Sequence, residues 1–427
     1  MKPTLLALTS ATLLTSASAQ GGTGPGGVNL RLYGGFGEVR QPVTVQGGRV
    51  SVPLPVGLYQ TIIPDSLDLD GALVTSRSLV QQPNWLASLE GRQLTLREDG
   101  KVQRVTLVRA RDLLVRDAAG QYRTVDPAQL SYDVAPPLNP LSPSWQASFV
   151  VSAPTAATTP SLTYLSRALS WSPRYTLKLS GGNAALSALA DLRNTSDESF
   201  NVFGTELFAG EVQLQSGGPL PYARTEVQSA AMAADSAAPK VNGLGELRGL
   251  YRYALDRPFV LPAGGTVSLP FLNPQVSVER FGMLDIGFSP SGSKGTLGRG
   301  YRLKASTELP AGSVTVREDG RLVGQVGVET TPANTPLELN LGSDPDLRYT
   351  RTAATTAGKT QTIRVTYTFE NAKDRPLRFE VTEEGLDSRA TVSGDVIRTP
   401  QGGLSLRVDV PAKGKLTRSF SVTLPGS

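Results

Sequence analysis

At 427 residues the chain is too long for one ordinary core, so two or three domains are expected. It contains neither histidine nor cysteine, which excludes Ser-His-Asp and Cys-His catalysis, zinc sites built from those ligands, and haem or copper sites of the usual kind. The formal charge of +5 is interspersed rather than gathered into a basic stripe, so no nucleic-acid partner is expected.

Met1–Ala19 reads as a secretory signal peptide. Lys2 supplies the positive start, Leu5–Leu14 the apolar centre, and Ala17-Ser18-Ala19 the small-residue cleavage site before Gln20. Export to the periplasm, outer envelope or exterior is the expectation, and without cysteine no lipoprotein anchor can form. No second stretch reaches the roughly 18 apolar residues of a transmembrane helix. The apolar runs also read as shorter than the roughly 9–11-residue spans of a transmembrane barrel.

Beyond the signal peptide the pattern is all-β and multi-domain. Short alternating runs are separated by Gly, Pro, Asn and Asp, and no amphipathic helix is expected. Residues 20–27 (QGGTGPGG) form a flexible tether. An N-terminal β domain spans 28–82, with strands expected at Asn29–Tyr33, Arg49–Leu54 and Gln60–Ile63. A small barrel-like β module spans 83–134, with Arg92–Arg97 and Val102–Val108 as hairpin arms. Residues 135–161, rich in Pro, Thr and Ala, read as a linker. The C-terminal β region runs from 162 to 427. Residues 215–247 interrupt it as a surface insertion, because Val227–Ala238 has almost no apolar face.

That region opens on its clearest pattern. Tyr175, Leu177 and Leu179 alternate with Thr176 and Lys178; Gly181-Gly182-Asn183 marks a turn; Leu186, Ala188, Ala190 and Leu192 form a second alternating run. Near the C-terminus Ile363, Val365, Tyr367 and Phe369 oppose Thr362, Arg364, Thr366 and Thr368. Leu404–Val410 and Phe420–Leu424 alternate likewise, and an antiparallel β-sandwich is the natural packing.

The phrase Leu169-Ser-Trp171-Ser-Pro173-Arg174-Tyr175, followed by Asn194-Thr195-Ser196-Asp197-Glu198, resembles the start of a widespread bacterial β-rich domain of unknown function. That domain forms the C-terminal part of the mucoidy-inhibitor-A-like proteins. Leu309-Pro310-Ala311-Gly312, Glu318-Asp319-Gly320 and Leu339-Asn340-Leu341-Gly342 agree with it. The resemblance covers Thr163 to the C-terminus and, more loosely, Val28–Val80. It implies a β fold and an envelope context but no activity. Many relatives carry a central coiled coil, which this chain lacks.

Carboxylate, hydroxyl, Lys, Arg and Tyr chemistry remains. Asp68 and Asp70 project from one strand face beside Asp65 and form the best candidate for a hard cation such as calcium. Ser66 and Arg77, however, stand where a calcium loop needs acidic ligands. A solvated strand face is the plainer reading, there and at Asp344 and Asp346. Glu206, Glu308 and Glu383 have no partner that sequence can assign for glycosidase chemistry. Ser291-Gly-Ser-Lys294 lacks the companion motifs of the penicillin-binding enzymes and reads as a mobile loop. Trp171, Arg174 and Tyr175 form either an exposed platform for a sugar or peptide, or two buried rings with Arg174 outside; the shared parity of Trp171, Tyr175 and Leu177 supports the second. The composition therefore points to an exported, non-enzymatic envelope protein with a structural or protein–protein role. The alternative is a carboxylate-dependent hydrolase or a binding protein for envelope polysaccharide. The partner expected is an envelope protein or polysaccharide, no cofactor is required, and the sequence does not set the oligomeric state.

Overall fold

The computed structural model describes residues 27–98, 100–136, 141–152, 159–214, 241–247, 249–356, 358 and 360–425. The expected signal peptide, the expected tether up to residue 26 and residues 215–240 of the expected insertion lie outside these. The protein is all-β and multi-domain, with several sheets and a single short α-helix, Val56–Thr61, among the described residues. That helix corrects the strand expected at Gln60–Ile63. Pro55, with φ −54°, sits at its N-cap, where a missing N–H costs nothing and the fixed φ starts the turn.

The described chain divides into two compact units. The first holds residues 27–29, 39–165 and 196–203, the second 30–38, 166–195 and 204–425. In the first unit Ser144–Val151 is the middle strand of an antiparallel sheet, between Arg49–Pro55 and Val74–Gln82. This corrects the linker expected over 135–161. Trp145, Ala147, Phe149 and Val151 alternate with Gln146, Ser148 and Val150, a period-two signal hidden between proline-dense flanks. Ala147 and Phe149 are fully buried and Trp145 stacks on Tyr59 at 4.4 Å between ring centres. Asp68–Asp70 pairs with the start of Ser161–Ser166, so residues on both sides of the supposed linker are sheet neighbours.

Because Val74–Gln82 and Ser144–Val151 pair directly, the module between them is inserted into their connection. Its five strands run in the order Leu130–Ser131, Gln93–Glu98, Lys101–Arg109, Leu114–Arg116, Tyr122–Thr124. They share a core with the 3-10 turn Trp85–Leu89, in which Leu86, Leu96, Leu107 and Val115 are fully buried. Each such side chain contributes roughly 1.5–3 kcal/mol.

In the second unit Leu169–Ser180 and Asn183–Asn194 form a twelve-pair hairpin from Leu169↔Asn194 to Ser180↔Asn183. Gly181 (φ 55°) and Gly182 (φ 88°) make the turn, both in the left-handed region that a two-residue hairpin of this twist requires. Thr266–Pro270 flanks the hairpin on one side, and Gly312–Glu318 then Arg321–Val328 on the other. The second sheet has nine strands, in the order Thr391–Gly394, Gly414–Leu424, Gln361–Asn371, Leu337–Thr356, Ser293–Ala305, Val276–Gly287, Leu377–Glu384, Leu404–Val410, Ile397–Arg398. It folds over on itself. Ile363, Val365, Phe369 and Val422 from one end share a core with Phe379, Val381, Leu406 and Val410 from the other, so one continuous sheet supplies both layers of the sandwich.

Two features differ from the sequence reading. Gly312–Glu318 lies parallel to Leu169–Ser180, and Leu377–Glu384 parallel to Val276–Gly287, so the region is mixed rather than purely antiparallel. Alternation reports which face is buried, not which way a strand runs. Several strands are also long, 13 residues in Ser293–Ala305 and 20 in Leu337–Thr356. Glycines, Pro345 and bulges interrupt the apolar pattern there without ending the pairing. Run length therefore carries no argument about a barrel. No helix among the described residues is long and apolar enough to cross a membrane.

Candidate functional site

The residues singled out by sequence fall in different places. Trp171 and Tyr175 are buried, which corrects their reading as an interaction surface. Trp171 donates from Nε1 to the Phe208 carbonyl at 2.9 Å and meets Tyr253 and Phe271 edge to face. Tyr175 donates to the Pro310 carbonyl at 2.9 Å. Burial raises the Tyr175 hydroxyl well above its ordinary range, with Glu308 adding to the effect. Only Arg174 faces outward, paired with Asp191 at 2.9 Å. The parity shared with Leu177 places the rings inside.

Asp68 and Asp70 lie exposed on one strand face with Leu69 buried between them. Asp70 is ion-paired with Arg40, and Asp68 Oδ1 accepts from the Leu69 amide at 2.8 Å. Two carboxylates, one already paired, fall short of the six to eight oxygens calcium takes, and no group of three metal-ligating side chains occurs among the described residues. Glu206 lies between Arg31 and Arg252. Glu308 accepts from the Tyr253 hydroxyl at 3.1 Å. Glu383 is wholly buried, clamped by Arg351 Nε at 2.8 Å and Nη2 at 3.0 Å, with the Tyr367 hydroxyl donating to it as well. Lys294 belongs to Ser293–Ala305 opposite Thr350 rather than to a loop, and the Ser291 carbonyl is occupied by Arg351. None of these groups is assembled as a nucleophile with a base.

Two surface features have the make-up of recognition sites. The first is an open sheet edge, Val74–Gln82. Among the described residues it ladders only with Ser144–Val151, in unbroken register from Gln82↔Ser144 to Ser76↔Val150. The edge carries no Lys, Pro, Asp or Glu among the usual guards against strand addition; its one charged residue is Arg77, whose Nη1 donates to the Leu67 carbonyl at 2.7 Å. Leu73 and Val80 are exposed at 73% and 52%.

The second feature is a cleft that sequence reasoning missed. Arg280 comes from Val276–Gly287, and Arg299 and Tyr301 from Ser293–Ala305. The next strand, Leu337–Thr356, slips register between Leu297↔Asp344 and Thr296↔Arg348, and this irregularity turns Asp344 inward. Asp344 is 3% exposed, which corrects its reading as part of a solvated face; Asp346 is the exposed member of that pair. Lys373 and Arg375 come from the turn after Gln361–Asn371. Asn371 holds that turn by donating from Nδ2 to the carbonyls of Arg375, Val410 and Pro411 and accepting from the Lys373 amide.

Glu318 is 2.8 Å from Arg280 and 3.5 Å from Arg375, and it accepts from the Tyr301 hydroxyl at 3.1 Å. Burial, then the neighbouring Glu318, pushes the Tyr301 hydroxyl up to about 12. Asp344 is 2.9 Å from Lys373 and 3.9 Å from Arg299. The half-open space among these side chains is about 40 Å³. A larger open cavity of about 360 Å³ lies beside Gly327–Glu338, lined by threonines, prolines, Glu329 and Glu338. Glu338 is held there by two bonds from Arg302, at 2.7 and 2.9 Å.

No family model matches the chain, and no curated protein matches it.

Proposed function

We propose that this is an exported, non-enzymatic protein of the cell envelope that acts through structural, protein–protein contacts. The observation that carries the reading is the Val74–Gln82 edge, a nine-residue open strand with Arg77 as its one charge, exposed Val80 within it and exposed Leu73 before it. Such an edge takes an extended segment of a partner as an additional strand, with main-chain hydrogen bonds giving affinity and alternate side chains giving selectivity. The signal-peptide pattern at Met1–Ala19 and the absence of histidine and cysteine support it. So does the resemblance of Leu169–Tyr175 and Leu309–Gly312 to the mucoidy-inhibitor-A-like proteins.

The test is mild-detergent extraction of the native envelope followed by size separation. The wild-type chain is expected in an assembly with a defined partner. The double substitution Ser78→Lys and Val80→Lys, which places two charges on the exposed row of the edge, is expected to release it without changing its thermal midpoint. A wild-type chain that runs alone would overturn the reading.

The cavity beside Glu329 and Glu338 favours a second reading, a carboxylate-dependent hydrolase or binding protein for envelope polysaccharide. Its volume lies in the range of ligand sites. The Arg302 clamp on Glu338 opposes it, because both guanidinium bonds fall on one carboxylate oxygen and hold the side chain against the arginine rather than leaving it to a substrate. Turnover of envelope polysaccharide that Glu329→Gln abolishes would establish this reading instead.

A further inference from the structure

We propose that the cleft of Arg280, Arg299, Lys373 and Arg375 binds a dianionic oxyanion of the phosphate class. This goes beyond an interaction role and does not depend on the compartment.

Three observations carry it. Four cations line the cleft against two carboxylates, Glu318 and Asp344, leaving a surplus of two positive charges. Asp346, half exposed at the rim and 3.4 Å from Lys373, only partly offsets that surplus. The guanidinium Nε of Arg299 is buried without a hydrogen-bond partner, 3.9 Å from Asp344, whereas that of Arg280 already faces Glu318 at 2.8 Å. A buried donor left over in this way is costly unless a ligand accepts from it. Finally, a half-open space of about 40 Å³ exceeds the roughly 10–15 Å³ a single water needs. A phosphate monoester carries about −1.5 to −2 charges at neutral pH and three acceptor oxygens. It matches both the charge surplus and the planar arginine donors.

The site is held by the backbone around it. Asn371 fixes the turn bearing Lys373 and Arg375, and the register slip of Leu337–Thr356 places Asp344 to hold Lys373. The carboxylates thus orient the cations without neutralising all of them.

The experiment is calorimetric titration of the full chain with inorganic phosphate, at ionic strength held constant with chloride. Saturable one-to-one binding is expected. Arg299→Gln and Arg375→Gln should each weaken it by about ten-fold, the scale of one charge-assisted contact. Asp346→Asn, which removes an opposing charge at the rim, should tighten it by about two-fold. Arg389→Gln, remote and paired with Asp387, should leave it unchanged. Thermal midpoints measured without phosphate show whether each variant is folded. A hexose phosphate that binds as tightly as inorganic phosphate assigns the site to a phosphate presented on a larger molecule, while its failure to bind restricts the site to the free ion. No saturable phosphate binding, or equal binding by Arg299→Gln, Arg375→Gln and wild type, overturns the proposal.

Discussion

Glu383→Gln tests whether the C-terminal sandwich is organised around its buried charge. Arg351 and Glu383 are 2% and 1% exposed, and they meet through two parallel hydrogen bonds, with the guanidinium 5.9 Å from the ring centres of Tyr367 and Phe288. Glutamine keeps the shape but removes the counter-charge, leaving the guanidinium buried and uncompensated. Breaking such a pair from one side costs about 3–5 kcal/mol. The second partner of Glu383, the Tyr367 hydroxyl, adds about 1 kcal/mol when lost, which Tyr367→Phe isolates. Because the protein has two units, global unfolding need not be two-state, so the local assay is hydrogen exchange of the Gln361–Asn371 amides. A loss of 3 kcal/mol accelerates their exchange by roughly a hundred-fold. The double variant Arg351→Met with Glu383→Leu should recover most of that loss, since apolar replacement of a whole buried pair is often neutral or stabilising. A single variant within about 1 kcal/mol of wild type, or a double variant no better than the single, would refute the argument.

The buried tyrosines predict alkaline instability. Tyr164, Tyr175, Tyr253, Tyr301 and Tyr367 are all raised, by burial first, and Tyr301 to about 12. With folded values above the unfolded value of about 10, their contribution is complete below that pH and lost as pH rises through the folded values. The thermal midpoint should therefore be flat to about pH 9 and fall beyond about 10, with the phenolate absorbance of these five appearing only on unfolding; titration of all tyrosines near pH 10 in the folded protein would contradict this. Gly312→Ala should prevent proper docking of Gly312–Glu318 against Leu169–Ser180, because a Cβ would lie 2.3 Å from the Pro173 carbonyl oxygen. Low soluble yield or a sharply lowered midpoint is expected, and a midpoint equal to wild type would count against the parallel pairing.

What could be read from sequence was the face, not the neighbour. Leu177, Leu186, Val365 and Leu406 are buried as their alternation requires, and the opposing Thr366 and Ser419 meet across the outer face at 2.8 Å. Hairpins with two-residue turns were legible too, since Arg321↔Glu318 follows from the positive-φ pair Asp319 and Gly320. Composition misled where it was averaged. Proline density across 135–161 concealed Ser144–Val151, which the local alternation of Trp145, Ala147 and Phe149 marks plainly.

The cleft was illegible for a different reason. Its cations sit at 280, 299, 373 and 375, on two strands and a turn, and no spacing among them repeats. Three non-local events bring them together: the pairing of Arg280 with Tyr301, the register slip that buries Asp344, and the Asn371 anchor. Each depends on a partner tens of residues away. The same holds for Glu383, to which the sequence assigns no partner and beside which the fold places Arg351 and Tyr367. A buried charge is tolerable only with its partner, so in a sheet protein the sequence signature of such a site is distributed over strands whose order the alternation does not encode. The slip at Thr296/Leu297 is the strongest local trace. Asp344 sits just before Pro345 and two residues after Gly342, in a strand that continues to Thr356. A proline and a glycine inside a long strand mark a bulge, and the charged residue between them is the one that a bulge redirects.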